Sequence, residues 1–346
     1  MRVRAAVLMA VLAGTGIACR EVSAPGTGDG GVNTRTAGRD LATILDAEWE
    51  WRLRENPQFA TTVGDHRYDD QLSKESIEDE TRRSHDTRRF LDDVSRIDRA
   101  RLTPAEQVTF DMFRAELEDR IATFRFREYL LPINADSGFH SGFALMPQTL
   151  RLESVKDYDN YLARLRAFPR YVDEYITRMR KGLEVGITVP RVALQGADTA
   201  IAPLMPDDPT ASPLYGPFRA MPATFAAADR SRLEAAGRTA VAESVTPAYA
   251  RFREFLSTTY IPGARDTIAA SALPEGAAYY QHLVKRFTTL PLTSDQVHAR
   301  GVAEVARIRA EMEAVMRGTG FTGDFAAFLR CCAPIPASIP GLVSNC

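Results

Sequence analysis

Apolar residues along this chain recur at three- and four-residue steps, the spacing that places them on one face of a helix. In "DLATILDAEWEWRL" Leu41, Ile44 and Leu45 share such a face. Thr103-Pro104-Ala105-Glu106 has the form of a capping box with proline at the first helical position. Val108, Met112, Leu117, Ile121 and Phe124 then follow as one face of a long helix. Ser154 and Asp157 open another helix, carrying Tyr158, Tyr161, Leu162 and Leu165, and Pro169 interrupts it. Beyond the proline Val172, Tyr175, Ile176 and Met179 continue to Gly182. Thr246-Pro247 starts a helix with Tyr249, Phe252 and Leu256. Thr293 and Gln296 cap the last one, in which Val302, Val305, Ile308, Met312 and Val315 face inward and Gly318 is the stop. Alternating patterns are scarce, and only "ITVPRVAL" (Ile187 to Leu194) reads as a strand. The expectation is an all-α fold of long amphipathic helices, with irregular connections around residues 131–150 and 195–222 and no repeat of fixed period.

The ends read differently. Residues 1–19, "MRVRAAVLMAVLAGTGIAC", have a positive start at Arg2 and Arg4, a short apolar run and small residues before Cys19. That is an export signal, too short to span a bilayer as a mature helix. Gly16-Ile17-Ala18-Cys19 is similar to a bacterial lipobox, with Cys19 as the lipidated residue and membrane anchor. An ordinary signal-peptidase site accepts Gly16 and Ala18 equally well. Residues 20–39 lack apolar periodicity and read as a flexible linker. The helical domain is assigned to residues 40–330, and residues 331–346 change character, with paired cysteines and closely spaced prolines. The predicted location is the periplasm or the outer membrane; Arg20 is not the Asp that often holds lipoproteins at the inner membrane.

Charge narrows the function classes. The 346 residues carry 43 basic and 45 acidic side chains, a net charge of -2, so no polybasic field recruits nucleic acid. Only Lys74, Lys156, Lys181 and Lys285 are lysine; the other 39 basic residues are arginine, spread through every segment, a bias that fits GC-rich coding. None of the five histidines (His66, His85, His140, His282 and His298) is followed by Glu, and no two are within helical reach, so a self-contained helical zinc motif is absent. "GFHSG" places His140, not Ser141, between its glycines and is no nucleophile elbow. "GDHRYDD" gathers Asp65, His66, Asp69 and Asp70, either as a hydrogen-bonded loop or as a cation site. Tyr279, Tyr280 and His282 after "LPEG" are candidates for a substrate groove or for packed rim residues. Cys331, Cys332 and Cys346 have no familiar metal spacing and read as adventitious thiols.

Three stretches together resemble the bacterial exported proteins grouped as domain of unknown function 885. They are "ENPQFATTVGDHRYDDQLS" (Glu55 to Ser73), "LLPIN" (Leu130 to Asn134) and "LPEGAAYYQHLVKRFTTLPLTSDQVHARGVAEVARIRAEMEAVM" (Leu273 to Met316). The similarity runs over roughly residues 40–330. It implies part of a helical, zinc-metallopeptidase-like shell, incomplete at the C-terminus, with a peptide substrate and zinc in an intact member. The family's His-Glu-x-x-Pro-Gly-His-His segment lies C-terminal of the matching text, and no residue here corresponds to it; no catalytic or metal residue is therefore assigned. Codon degeneracy allows Ala333 to Gly341 to be read two bases on as Thr-Asp-Pro-Arg-Phe-Tyr-Thr-Arg, which is similar to the family text. Residues 331–346 are accordingly expected to be a frameshifted tail, and the chain an inactive N-terminal part that leaves an apolar patch uncovered. The alternative is a non-enzymatic helical lipoprotein that binds peptide or cell-envelope material.

Overall fold

The computed structural model describes residues 30–134 and 137–332. The signal segment, Cys19, residues 20–29 and the tail from residue 333, Cys346 included, lie outside the described residues.

The fold is all-α, and two layers of helices build it. In the first, α1 (Gly30–Glu55), α3 (Ile77–Ser95) and α4 (Pro104–Arg125) bury Leu41, Val94, Leu102, Phe110, Phe113 and Leu117 against one another. The short α2 (Pro57–Thr62) follows α1 directly. The second and larger layer is organised by α6 (Val155–Val185). Around it pack α5 (Phe139–Leu145), α7 (Gly216–Arg219), α8 (Ala227–Ala240), α9 (Thr246–Phe255) and α10 (Ile261–Gly263). Then come α11 (Gly276–Thr288), α12 (Ser294–Gly318) and α13 (Phe325–Cys332), which extend from the body. Among the described residues no strand is present, only an isolated bridge between Ile133 and Gly138. No helix there is long and apolar enough to cross a membrane.

The helix starts follow the sequence. Thr103 and Glu106, Ser154 and Asp157, and Thr293 and Gln296 form reciprocal capping boxes. Each satisfies two N–H groups that a helix terminus leaves without intrahelical partners. Gly186, at φ 73°, closes α6 in the left-handed region where a Cβ is disfavoured.

Prolines behave differently from the expectation. Pro169 lies inside an uninterrupted α6 of 31 residues, about 46 Å long. Tyr158, Tyr161, Leu162, Leu165, Phe168 and Val172 are buried on both sides of it, so packing outweighs the missing hydrogen bond. Helix α9 does start at Thr246, but without a break from the helical turns before it. The segment from α8 to α10 is continuous, with π-helical turns at Val241–Val245 and Leu256–Tyr260. Each wide turn ends two residues before a proline, Pro247 or Pro262, and relieves the clash between the ring and the preceding carbonyls.

Other expectations also fail on particular residues. Residues 191–194 of the predicted strand form a 3-10 turn, while Val189 and Leu194 are buried in the large core and Ile187 is buried beside them in sequence. The first helix begins at Gly30, inside the segment read as a linker. In α4 the buried face is Phe110, Phe113 and Leu117, whereas Val108 and Met112 are exposed. The stripe on α12 does not face inward: Val302, Val305, Ile308, Met312 and Val315 are all exposed, by 41% or more. Cys332 is an exposed free thiol, whereas Cys331 is disulfide-bonded.

Three arginines of α6 join the layers. Arg164 is 1% exposed. Its guanidinium donates to Gln71 O, Pro57 O, Tyr68 O and Thr61 Oγ1. Arg170 donates to Leu72 O and Ser73 O and pairs with Glu174, which accepts from Glu75 N. Arg178 donates to Glu75 O and pairs with the carboxylates of Glu75 (2.6 Å) and Glu80 (2.8 Å). The irregular segment 57–80 is thereby fixed along α6. Burial pulls the Arg164 guanidinium below its usual pKa, and the side chain is held by four acceptors on Nε and Nη2 rather than by one strong ion pair. Removing such a group leaves several buried carbonyls without donors. Arg164→Ala is expected to lower stability by about 3–5 kcal/mol in denaturant melts. Arg232→Ala, which breaks only the half-exposed pair with Asp159, should change it by less than about 1 kcal/mol.

His140 gives the pH dependence a sign. Its ring packs on Phe139 and Phe252, its Nδ1 has no partner, and burial pushes its pKa from 6.5 down to about 4. Between those values the unfolded chain binds a proton that the folded chain refuses. This contribution is therefore intact above pH 6.5 and is lost as the pH falls toward 4. Urea melts should show that acid-side decline, and His140→Gln should flatten it.

Candidate functional site

One helical spacing groups polar residues of the first layer around a common cleft, with Glu48 and Glu116 behind its lining. Residues three, four and seven apart share a helix face. On α3 these are Glu80, Arg83, Ser84 and Thr87, and on α4 they are Glu116, Asp119, Arg120 and Thr123. On α1, Glu48, Trp51 and Arg52 do the same. Phe59, Phe124 and Tyr129 supply apolar walls and Arg286 of α11 reaches the rim. The cleft is about 470 Å³, within the roughly 300–1,000 Å³ common for small-molecule sites.

Its charges are arranged before anything binds. The Glu48 carboxylate is buried and accepts from Arg52 Nε and Nη2, both at 3.0 Å, and from Arg120 Nη1 at 2.7 Å. Glu116 bridges the same arginines at 3.2 and 2.6 Å. At the floor, Glu80 accepts from Arg83 at 2.9 Å and Arg178 at 2.8 Å, linking the cleft to α6. Trp51 Nε1 donates to Asp86 at 2.9 Å, while its ring meets Phe90 edge-on. Phe124 and Tyr129 stack with centroids 5.4 Å apart. Ser84 Oγ and Thr123 Oγ1, on residues of the same lining, have no hydrogen-bond partner.

Asp119 joins this cleft to a second one of about 410 Å³ between α4 and α11. Its Oδ2 lies 3.3 Å from Arg286 Nε. Its Oδ1 lies 3.4 Å from His282 Nε2, an ion-pair distance at which no hydrogen bond forms. Here the structure places the predicted groove residues. His282 is mostly buried, tilted on Phe126, and lines the second cleft. Tyr279 also packs on Phe126, and burial, then Glu128, pushes its pKa up to about 12. Tyr280 is 45% exposed and lines neither cleft. His282 and Tyr279 thus help dock α11 against Phe126 and Asp119, and Tyr280 stands apart from them.

The loop residues are placed elsewhere. Asp65 caps a 3-10 turn and pairs with Arg67, whose hydrogen bonds hold its carboxyl down to about 2. Asp69 accepts from Thr61 at 2.6 Å and lies 2.8 Å from His66 Nδ1. Thr61 in turn accepts from Arg164, so these two residues extend the α6 network; Asp70 has no described role there. Ser141 is tied to Gly138 at the start of α5. Among the described residues, no group of three or more His, Cys, Asp or Glu side chains is placed to hold a metal ion. The zinc implied by the family resemblance does not fit them.

The reading of the sequence missed Arg52, Arg83, Arg120 and Arg286 as a group, because they are far apart along the chain. The polar 80/83/84/87 and 116/119/120/123 registers were the available signal. α11 itself is bounded by two non-glycine residues in the left-handed region, Glu275 (φ 54°) and Thr289 (φ 59°), and few of its side chains are buried. The Asp119 contacts with His282 and Arg286 therefore matter to its docking. Asp119→Asn should accelerate amide exchange within α11, while the global unfolding free energy shifts by less than about 1 kcal/mol.

The model of the family described as "Bacterial protein of unknown function (DUF885)" matches residues 57–340. Among solved structures, the crystal structure of a "putative lipoprotein" from Colwellia psychrerythraea superposes with a TM-score of 0.73 at 18% sequence identity. The match covers 88% of this chain and 55% of that one, so the chain spans about half the length of its solved neighbour. No curated protein matches. The family match, over most of the chain and including α3, α4 and α6, makes this chain a member of the bacterial DUF885 family.

Proposed function

We propose that this chain is the substrate-cradling, N-terminal part of an exported zinc-metallopeptidase-like lipoprotein, holding peptide without supplying the metal site. The observation that carries the reading is the cleft of α1, α3 and α4, an aromatic-walled groove with guanidinium and carboxylate groups already oriented. Such a site binds and orients; it offers neither a nucleophile beside a base nor a set of metal donors among the described residues. Family membership and the likeness in fold to a longer putative lipoprotein support the reading. In it, Cys19 carries the lipid anchor at the membrane, and the zinc chemistry belongs to residues other than those described.

The test uses the purified chain, stripped with a chelator and dialysed against zinc. Metal analysis should find far less than one tightly held zinc per molecule, and mass spectrometry should find peptide libraries uncut. One tightly bound zinc per molecule together with hydrolysis would refute the proposal.

A further inference from the structure

We propose that the cleft between α1, α3 and α4 is a carboxylate-binding site for molecules that also carry an aromatic or apolar group. The proposal deepens the substrate-cradle reading and rests on it for the presence of a ligand.

Four guanidiniums, those of Arg52, Arg83, Arg120 and Arg286, line the cleft against two carboxylates, Glu80 and Asp119. Glu48 and Glu116 behind the lining pair with Arg52 and Arg120, so recognition rests on unused guanidinium donors rather than on a net positive charge. Those partners do not consume every donor. Arg52 spends Nε and Nη2 on Glu48 and leaves Nη1 without a hydrogen bond among the described residues. Arg120 spends Nη1 and Nη2 on Glu48 and Glu116 and leaves Nε. Arg286 is held more loosely, 3.3 Å from Asp119 and 3.5 Å from Glu128, with its side chain 37% exposed. Charge-assisted bonds of this kind ordinarily close to about 2.7–2.9 Å, so a ligand anion can outbid both contacts at the rim.

Chemistry narrows the anion. A planar carboxylate matches the fork of a guanidinium, which is fixed in place here by its existing pairs. Trp51 and Phe124 offer ring faces and edges rather than further charge, which suits an apolar body attached to the carboxylate better than a fully hydrated phosphate. Ser84 Oγ and Thr123 Oγ1 are the polar atoms of this lining that lack a protein partner, and Ser84 is only 7% exposed. Buried hydroxyls ordinarily have a partner, and these two are placed beside the proposed site.

The carboxylate has two sources, a free small acid or the C-terminal end of a peptide. The experiment uses the full chain carrying Trp49→Phe, so that Trp51 is the sole tryptophan and reports on the cleft. Its fluorescence is titrated with N-acetylphenylalanine, with an acetylated tetra-alanyl-phenylalanine peptide, with the C-terminal amide of each, and with inorganic phosphate. At least one acid should give a saturable change and bind about tenfold or more tighter than its amide. Arg286→Gln should weaken that binding by a similar factor with an unchanged melting curve, whereas Arg232→Gln should not. Equal binding of both acids assigns the site to small acids as well as peptide ends; preference for the peptide acid assigns it to peptide ends. Equal affinity of peptide acid and peptide amide overturns the carboxylate site but leaves the peptide cradle standing. Displacement by equimolar phosphate also overturns it. Absence of binding by any acid or amide overturns both readings.

Discussion

The guanidiniums of Arg164, Arg170 and Arg178 on α6 are the constraint on which the rest of this structure depends. They lie along one long helix and take up backbone carbonyls of the segment 57–80, whose stretch between α2 and α3 lacks enough regular structure to satisfy itself. A buried arginine is expensive to desolvate, and α6 offsets that cost with several acceptors per side chain. Tyrosines do the complementary task on the same helix. Tyr161 donates to Leu214 O at 2.6 Å and Tyr158 to Pro217 O at 3.2 Å, so the irregular stretch after residue 195 is tied down as well. α6 is thus a polar scaffold on two sides and an apolar core element between them.

The candidate site inherits this arrangement. Arg178 meets Glu80, and Glu80 in turn meets Arg83 in the cleft, so the α6 network and the cleft share a carboxylate. The cleft walls come from helices whose relative placement is set partly by segment 57–80. Opposite that firm floor, α11 contributes the rim through Arg286, which makes a long contact to Asp119 and is 37% exposed. The site therefore has a fixed side and a loosely held side, an arrangement suited to admitting a ligand past the rim and orienting it against the floor.

Much of the architecture was legible in the sequence. The fold class, the capping boxes at Thr103, Ser154 and Thr293, and the irregular connection after residue 195 follow from local chemistry, which a single sequence carries in full. The errors share one cause: they depend on what packs against a residue. Pro169 was expected to interrupt α6, and burial on both sides of it prevents that. Met112 and the α12 stripe were assigned to apolar faces, but no described element covers them. "ITVPRVAL" has the residues of a strand and no neighbour to pair with. The arginines were read as a coding bias because they are dispersed in sequence, yet helix registers on α1, α3, α4 and α6 assemble them in space. Of the groove residues, the sequence identified the correct helix for His282 but not its partner Asp119, which lies more than a hundred residues away.

The most direct test of the central claim is amide hydrogen exchange on a chain carrying Arg170→Ala and Arg178→Ala together. If α6 holds segment 57–80 through these side chains, amides in that segment should exchange about tenfold or more faster, while those of α6, α8 and α9 keep their protection. Unchanged exchange across residues 57–80, or a uniform loss of protection throughout the molecule, would contradict the account.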